Sequence, residues 1–266
     1  MRIVTQRTVA SSCAVVTFLI IGINVPVYYL PFYFQASLGV STTKSGLYVL
    51  PLAVCNPLAS IAVGAAVTLT GVYVPWMMAS GAIAAIGYGL LSTLNLESSL
   101  GNIIGFQIIA SIGFGLGVQL PFTAMRNVLS ETDIPIANAL LVFFQGLGTS
   151  LSLSVGQTLF LNTLKDELRS QISATEANYI VDLGAGNIDE SHVRKEELPI
   201  IANAYSTATR TAMYLAIASA VAAFVCSLAV EWKTMDRSDK KNDEPSEQIE
   251  SSDKVENSDS KQAPRK

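Results

Sequence analysis

Charged residues are missing from long parts of this 266-residue chain. Five stretches of at least twenty residues contain no Asp, Glu, Lys or Arg: 8–43, 45–96, 98–125, 134–164 and 211–230. Such runs exclude an ordinary soluble surface. A hydrocarbon core about 30 Å thick needs roughly 20 apolar residues of helix to cross it. Because one stretch is long enough for two crossings, the sequence predicts six transmembrane helices in a lipid bilayer.

Residues that build metal, redox and catalytic centres are also scarce. The chain has one histidine, His192, in a polar loop, and its three cysteines, Cys13, Cys55 and Cys226, all lie in apolar stretches. Their spacing offers no metal site and no disulfide framework. A serine or cysteine without a base is a weak nucleophile, so an intramembrane enzyme is disfavoured. We expect no metal and no cofactor, and no basic face suggests nucleic acid as a partner.

What is present divides the chain into five segments. We expect residues 1–8 to form a cytosolic lead-in, 9–163 to hold helices one to five, 164–209 to form a long extracellular loop, 210–231 to form helix six, and 232–266 to form a disordered cytosolic tail. The predicted helices span about 9–33, 46–69, 74–94, 101–123, 134–163 and 210–231. The excess of Lys and Arg on one side places both termini in the cytosol. We expect the tail to be disordered because it has too few apolar residues to fold.

Aromatic residues mark the predicted helix ends. Tyr28, Tyr29, Phe32, Tyr33 and Phe34 cluster at the end of the first helix. Tyrosine and tryptophan are enriched at membrane interfaces. We therefore interpret this cluster as an interfacial anchor.

Amide side chains are distributed unevenly among the predicted helices. Helices three and six contain no Asn or Gln, whereas helices one, two, four and five contain Asn24, Asn56, Gln107, Gln119, Asn138, Gln145 and Gln157. A polar side chain in lipid is costly and normally faces a bundle interior or a water-filled cavity. Four helices are therefore predicted to line a pathway. The alternative for any single amide is a hydrogen bond between helices.

Several motifs, taken in order, carry a resemblance to a known family. They include the run Tyr28-Tyr29-Leu30-Pro31-Phe32-Tyr33-Phe34-Gln35-Ala36, the segment from Gly113 to Pro121, Asp133-Ile-Pro135-Ile-Ala137-Asn138, Phe143-Phe144-Gln145 and Glu231-Trp232-Lys233. As a set, they resemble the C-terminal half of the 14-helix drug:proton antiporters of the major facilitator superfamily, of the fungal multidrug and secondary-metabolite type. The resemblance covers about residues 5–233.

That resemblance implies a fold of two six-helix bundles with a substrate site between them near the midplane. This chain would be one half-bundle of an all-α membrane protein, and the N-terminal helical half would be its missing partner. The expected pathway residues are Asn24, Tyr28, Asn56, Gln119 and Gln145, with a small amphipathic substrate. The proton would be the coupling ion, although the middle of each predicted span lacks an acidic residue.

Two further features have competing interpretations. Arg126, at the cytosolic end of the fourth helix, is either a membrane anchor or an inner gate that pairs with a carboxylate. Gly113 and Gly117 stand four residues apart in the same helix. They either allow close helix packing or form a hinge for alternating access.

The expected function is efflux of drugs, toxins or secondary metabolites by a multi-pass protein of the plasma membrane. An alternative from another class is a truncated membrane protein that transports nothing and modulates a full-length carrier.

Overall fold

The computed structural model describes residues 6–188 and 193–231 of the protein, which excludes His192 and the predicted tail. Within these ranges the chain is helical and contains no strand. Its α-helices are α1 Arg7–Phe32, α2 Thr42–Thr70, α3 Val74–Leu91, α4 Leu100–Val118, α5 Leu120–Arg126, α6 Ile134–Gln171, α7 Ala174–Leu183 and α8 Leu198–Leu228.

Six helical segments in the described part are long and apolar enough to cross a membrane. They are Arg7–Ser37, Thr42–Thr70, Val74–Leu91, Leu100–Arg126, Ile134–Gln171 and Leu198–Leu228. The first combines α1 with a π-helical turn over Tyr33–Ser37, and the fourth combines α4 with α5. The predicted all-α fold with six transmembrane helices is confirmed.

Proline explains the break within the fourth span. Pro121 has no backbone N–H, so the carbonyl of Gly117 lacks its helical donor, and α4 ends at Val118 before α5 begins at Leu120. Gln119 is the residue at this break. Interrupted helices in carriers often border the substrate site.

Helix α1 is the centre of the bundle. It packs against α6 and α8, and it also contacts α4 and α5, while α3 packs between α4 and α8 and α2 packs on α4. Within the most apolar window of each span, 67% of the residues are buried in the span that contains α1, but only 22% are buried in α2 and in α6. Helices α2 and α6 therefore present the largest uncovered surfaces.

Small residues bring α3 and α4 into close contact. A Cβ atom built on Gly113 would overlap the backbone of Ala84, and one on Gly87 would overlap the backbone of Ala110. The Ser80 hydroxyl donates to the Gly113 carbonyl at 2.6 Å across the same contact. Glycine allows this approach because it carries no side chain, as in other small-residue helix interfaces in membranes.

The predicted connection 164–209 is largely helical, which corrects its boundaries. Helix α6 continues to Gln171 because Leu164 and Leu168 are buried one turn apart and no glycine or proline interrupts the segment. Helix α8 begins at Leu198, not at 210, and Pro199 stands in its first turn, where a missing N–H costs nothing. The hydrophobic runs locate the membrane crossing but not the helix ends. The side of the membrane stays a prediction.

The segment between α6 and α8 has its own structure. Ser173 and Glu176 form a capping box at the start of α7, and Arg194 forms ion pairs with Glu176 and Glu197. The hydrogen bond from the Ser173 hydroxyl, at 2.7 Å, holds the pKa of Glu176 below its ordinary value, and Arg194 acts in the same direction. These contacts tie the start of α7 to the residues that lead into α8.

The aromatic cluster of α1 is mostly packed inside the bundle, so its interpretation as an interfacial anchor is wrong for three of its members. Tyr29, Tyr33 and Phe34 are buried, and the Tyr33 hydroxyl donates to the Asn95 carbonyl at 2.6 Å. A buried phenol needs such a partner. Only Tyr28 is well exposed.

Changing Gly113 to Ala should destabilise the protein, whereas Gly105→Ala should not. The new Cβ at position 113 meets the backbone of Ala84, while nothing lies near the Cβ position of Gly105 on the same helix. Overpacking typically costs about 1–3 kcal/mol. Thermal unfolding in detergent would measure the difference. Equal melting temperatures for the two variants would contradict the close α3–α4 contact.

Candidate functional site

Asn24 joins α1 to α6 at the middle of their contact. Its Nδ2 atom donates to the Thr149 hydroxyl at 3.3 Å, and that hydroxyl donates to the Gln145 carbonyl at 3.1 Å. Both amide side chains are half-buried. The helices approach closely here because Gly148 packs on the Thr17 carbonyl. Thr149 therefore links the side chain of one predicted pathway residue, Asn24, to the backbone carbonyl of another, Gln145.

Tyr28 lies one helical turn beyond Asn24 in α1. The two residues mark a stripe of α1 that neighbouring helices leave partly uncovered. Its side chain is 49% exposed. The ring rests edge-on against Tyr29, with centroids 5.6 Å apart, and against Phe32 at 6.2 Å. These contacts fix the ring while leaving much of its surface uncovered, so it can contact a ligand.

Asn56 and Gln119 lie on the other side of the bundle, along α2 and α4. Asn56 is half-buried, and the Ser60 hydroxyl lies within hydrogen-bond distance of the Asn56 carbonyl, at 3.1 Å, and of the Gly115 carbonyl, at 2.9 Å. Gln119 is exposed at the break between α4 and α5, one turn beyond Gly115. Asn56 and Gln119 therefore belong to one seam, and Asn24, Tyr28 and Gln145 to another.

Two observations revise the argument from amide distribution. Gln107 is fully buried, and its Nε2 atom donates to the carbonyls of Tyr48, at 3.0 Å, and Ile103, at 3.3 Å. This amide joins helices rather than lining a path. The last helix also contains an exposed amide, Asn203, because α8 begins earlier than predicted.

Helix α6 carries an uncovered polar row of which the sequence analysis singled out only Gln157. Ser150, Ser154, Gln157 and Thr158 are all exposed, and apart from the adjacent pair Gln157 and Thr158 they stand three or four residues apart. Ser150 and Thr158 donate to carbonyls four residues earlier, at 3.1 and 2.9 Å. That spacing was visible in the sequence, but single hydroxyl residues are common in membrane helices and carried little signal.

The exposed surfaces of α3 and α8 differ from this row. The exposed residues of α3 are Pro75, Ala82 and Ile86. Beyond Tyr214, those of α8 are Ala218, Val221, Val225 and Leu228. Both surfaces suit contact with lipid.

Arg126, Gly113 and Gly117 have different surroundings. Arg126 is exposed in the last turn of α5 and makes no ion pair within residues 6–188 and 193–231. Gly113 and Gly117 are buried against α3, where Ser80 lies beside both. These contacts favour packing for the two glycines. A hinge at these glycines and an inner gate at Arg126 stay predictions.

The chemistry of the uncovered seams is that of neutral recognition. Amides and a phenol offer hydrogen bonds and an aromatic face. The charged residues of the described spans lie near the ends of their own helix or beside the end of a neighbouring helix. Arg210, for example, donates to the Ser92 carbonyl at the end of α3, at 3.0 Å. The arrangement can hold an uncharged, amphipathic molecule and can supply no acid from its centre.

The bond between Asn24 and Thr149 should contribute measurably to stability. A double-mutant cycle with Asn24→Ala and Thr149→Val should give a coupling of about 0.6 kcal/mol, the average for such bonds in membranes. Unfolding in mixed micelles measures it. The control cycle pairs Asn24→Ala with Ser154→Ala on the uncovered row of α6 and should be additive. A coupling free energy of the same size in both cycles would contradict a specific hydrogen bond between Asn24 and Thr149.

Comparison with known proteins identifies relatives among fungal transporters. The chain is 36% identical over 86% of its length to the MFS-type transporter pigP of Monascus ruber, and it covers 40% of that protein. It is 35% identical over 88% of its length to the efflux pump roqT of Penicillium rubens, covering 43% of that protein. It is 33% identical over 88% of its length to the MFS-type efflux pump MFS1 of Arthroderma benhamiae, covering 44% of it. No family model matches the chain.

The chain thus spans 40 to 44% of the length of these relatives. The aligned part is 86 to 88% of this chain, and the relatives are named as transporters or pumps, not as enzymes. The chain is therefore a multi-pass integral membrane protein, and it belongs to the major facilitator superfamily of transporters.

Proposed function

We propose that this chain is the C-terminal six-helix half of a carrier that exports drugs, toxins or secondary metabolites across the plasma membrane by alternating access. The observation that carries this proposal is the contrast between two kinds of uncovered surface. Asn24, Tyr28 and Gln145 lie uncovered or half-covered along α1 and α6. The exposed surfaces of α3 and of α8 beyond Tyr214 are apolar.

The physical argument starts from the cost of polar groups in lipid. An amide facing hydrocarbon loses its hydrogen bonds to water, so such groups in membrane helices normally face a bundle interior or an aqueous cavity. The uncovered amides of α1 and α6 therefore need either water or a second set of helices. A carrier made of two bundles with a wet cleft between them satisfies both needs.

The names of the relatives support export as the direction. Two of the three relatives described above are named efflux pumps, and the third is an MFS-type transporter. The alternative of a non-transporting modulator has no such support. The partner of this half-bundle would be the N-terminal helical half of the carrier.

Proton coupling requires an acid that these spans do not supply. Among the described spans, Asp166 and Glu167 of α6 stand in its last two turns, beyond the predicted crossing. We therefore place the proton-binding carboxylate in the N-terminal half. The role left to this half is to hold the substrate by hydrogen bonds and ring contacts.

Replacing Tyr28 with Leu should impair export, whereas Tyr214→Leu should not. Both tyrosines are about half exposed within spans, at 49% and 56%, but Tyr28 lies beside Asn24 while Tyr214 lies on the lipid-facing side of α8. Loss of the ring face and hydroxyl should lower the efflux rate at limiting substrate roughly tenfold, about 1.4 kcal/mol. Efflux of a fluorescent amphipathic compound from cells expressing the complete carrier measures it.

Surface expression of both variants serves as the control for folding. A protonophore that collapses the pH gradient should stop efflux by the unmodified carrier. Equal efflux by the two tyrosine variants would refute the pathway along α1. Efflux that survives the protonophore would refute proton coupling.

A further inference from the structure

A small cavity lies at the end of α1 where the turn after α7 meets the bundle. Its volume is about 120 Å³, and α1, α6, α8 and the segment 181–185 surround it. Three of its lining residues are aromatic: Phe32, Phe160 and Tyr205. Gln157, one of the amides on the predicted pathway helices, borders it, whereas the five expected pathway residues Asn24, Tyr28, Asn56, Gln119 and Gln145 do not.

The aromatic rings around this cavity are held in fixed positions. Phe160 stacks on Tyr29 with centroids 5.1 Å apart and planes at 27°. It also contacts Phe32 at 5.6 Å and Tyr205 edge-on at 5.9 Å. Phe160 and Tyr205 are each only 3% exposed. The walls are therefore preorganised and do not need to rearrange to accept a ring.

The polar groups of the cavity are few and neutral. Its lining contains no charged residue and one amide, Gln157. The Tyr29 hydroxyl lies 3.5 Å from Gln157 Oε1, which orients the amide toward the aromatic cluster. An amide can both donate and accept a hydrogen bond. Such a lining selects a neutral aromatic group that bears one hydrogen-bonding substituent.

The volume limits the occupant to about one ring. An apolar cavity of about 150 Å³ in a protein interior holds benzene, so a site of similar size that is open on one side accommodates a single substituted six-membered ring. Aromatic pairs prefer offset-stacked or edge-to-face arrangements at 4.5–7 Å. The centroid distances from Phe160 to its neighbours Tyr29, Phe32 and Tyr205 lie in that range, so these residues already pack as aromatic pairs with one another.

The connection between α6 and α8 closes one side of the cavity. Val181, Gly184 and Ala185 line that side. Gly184 has φ of +77°, a conformation that favours glycine and lets the chain turn back over the bundle. The Ser173 capping box and the Arg194 ion pairs hold the adjoining α7 in place. This side of the cavity is therefore formed by a structured segment.

The cavity also adjoins the uncovered stripe of α1. Tyr28 contacts Phe32 edge-on at 6.2 Å, and Phe32 is one wall of the cavity. Phe32 therefore stands between the exposed ring of Tyr28 and the cavity.

We propose that this cavity is a second binding site, which takes a neutral phenol-like ring of an exported compound next to the pathway. Its place in transport rests on the proposed function, but binding of the ring does not. The site makes phenolic and other hydroxylated aromatic compounds the favoured substrate class.

The test is direct binding of 4-fluorophenol to the protein, purified without truncation and placed in lipid nanodiscs. Fluorine NMR should show saturable broadening of the ligand signal, and phenol should displace it at least tenfold more effectively than cyclohexanol, which has the same size but no π face. Leu161→Trp fills the cavity and should weaken binding at least tenfold. Leu151→Trp, at an exposed position of the same helix, should leave it unchanged.

Phe160→Leu provides a second variant if Leu161→Trp fails to fold, and it should also weaken binding at least tenfold. Equal binding to the native protein and to a folded cavity variant would show only partition into lipid and would overturn the proposal. Equal displacement by phenol and cyclohexanol would overturn the aromatic selectivity. Saturable binding by the native protein, together with no efflux from cells that express the complete unmodified carrier, would refute the proposed transport function and leave this site standing.

Discussion

A polar side chain in the hydrocarbon of a bilayer must find a hydrogen-bond partner or reach water, and this constraint organises the bundle. Inside it, hydroxyl and amide groups reach backbone carbonyls of neighbouring helices. The Ser111 hydroxyl donates to the Leu52 carbonyl at 2.7 Å, and Ser80 and Gln107 make equivalent bonds. Such short side chains reach across only because glycine and alanine let the helices approach closely.

The same constraint separates the outer surfaces of the molecule. Helices α3 and α8 turn their serines inward, where Ser80, Ser219 and Ser227 are buried, and show lipid mostly apolar residues. Helix α6 instead carries a row of exposed hydroxyl groups, Ser150, Ser154 and Thr158, in the middle of its length. The proposed function would explain this difference, since a half-bundle of a carrier needs one surface for lipid and another for a wet cleft.

The number and type of spans could be predicted from the sequence because the charge-free runs follow directly from the thickness of the membrane. The ends of α6 and α8 could not, since a helix does not stop where the lipid stops. The aromatic cluster at the end of α1 was misinterpreted for a similar reason: Phe160, which stacks on Tyr29, and Tyr205, which packs on Phe160, lie far away in sequence. The seam of Asn24 with α6 depends on Gly148 and Thr149, whose role only the packing reveals.

Cysteine accessibility in intact membranes would test the central claim most directly. With the native Cys13, Cys55 and Cys226 replaced by Ala, single cysteines at Asn24 and Gln145 should react with a charged, membrane-impermeant thiol reagent, because these positions face an aqueous cleft in at least one state. Single cysteines at the exposed apolar positions Ile86 and Val221 should not react. Equal reactivity at the two pairs of positions would contradict the division between a wet surface and a lipid surface.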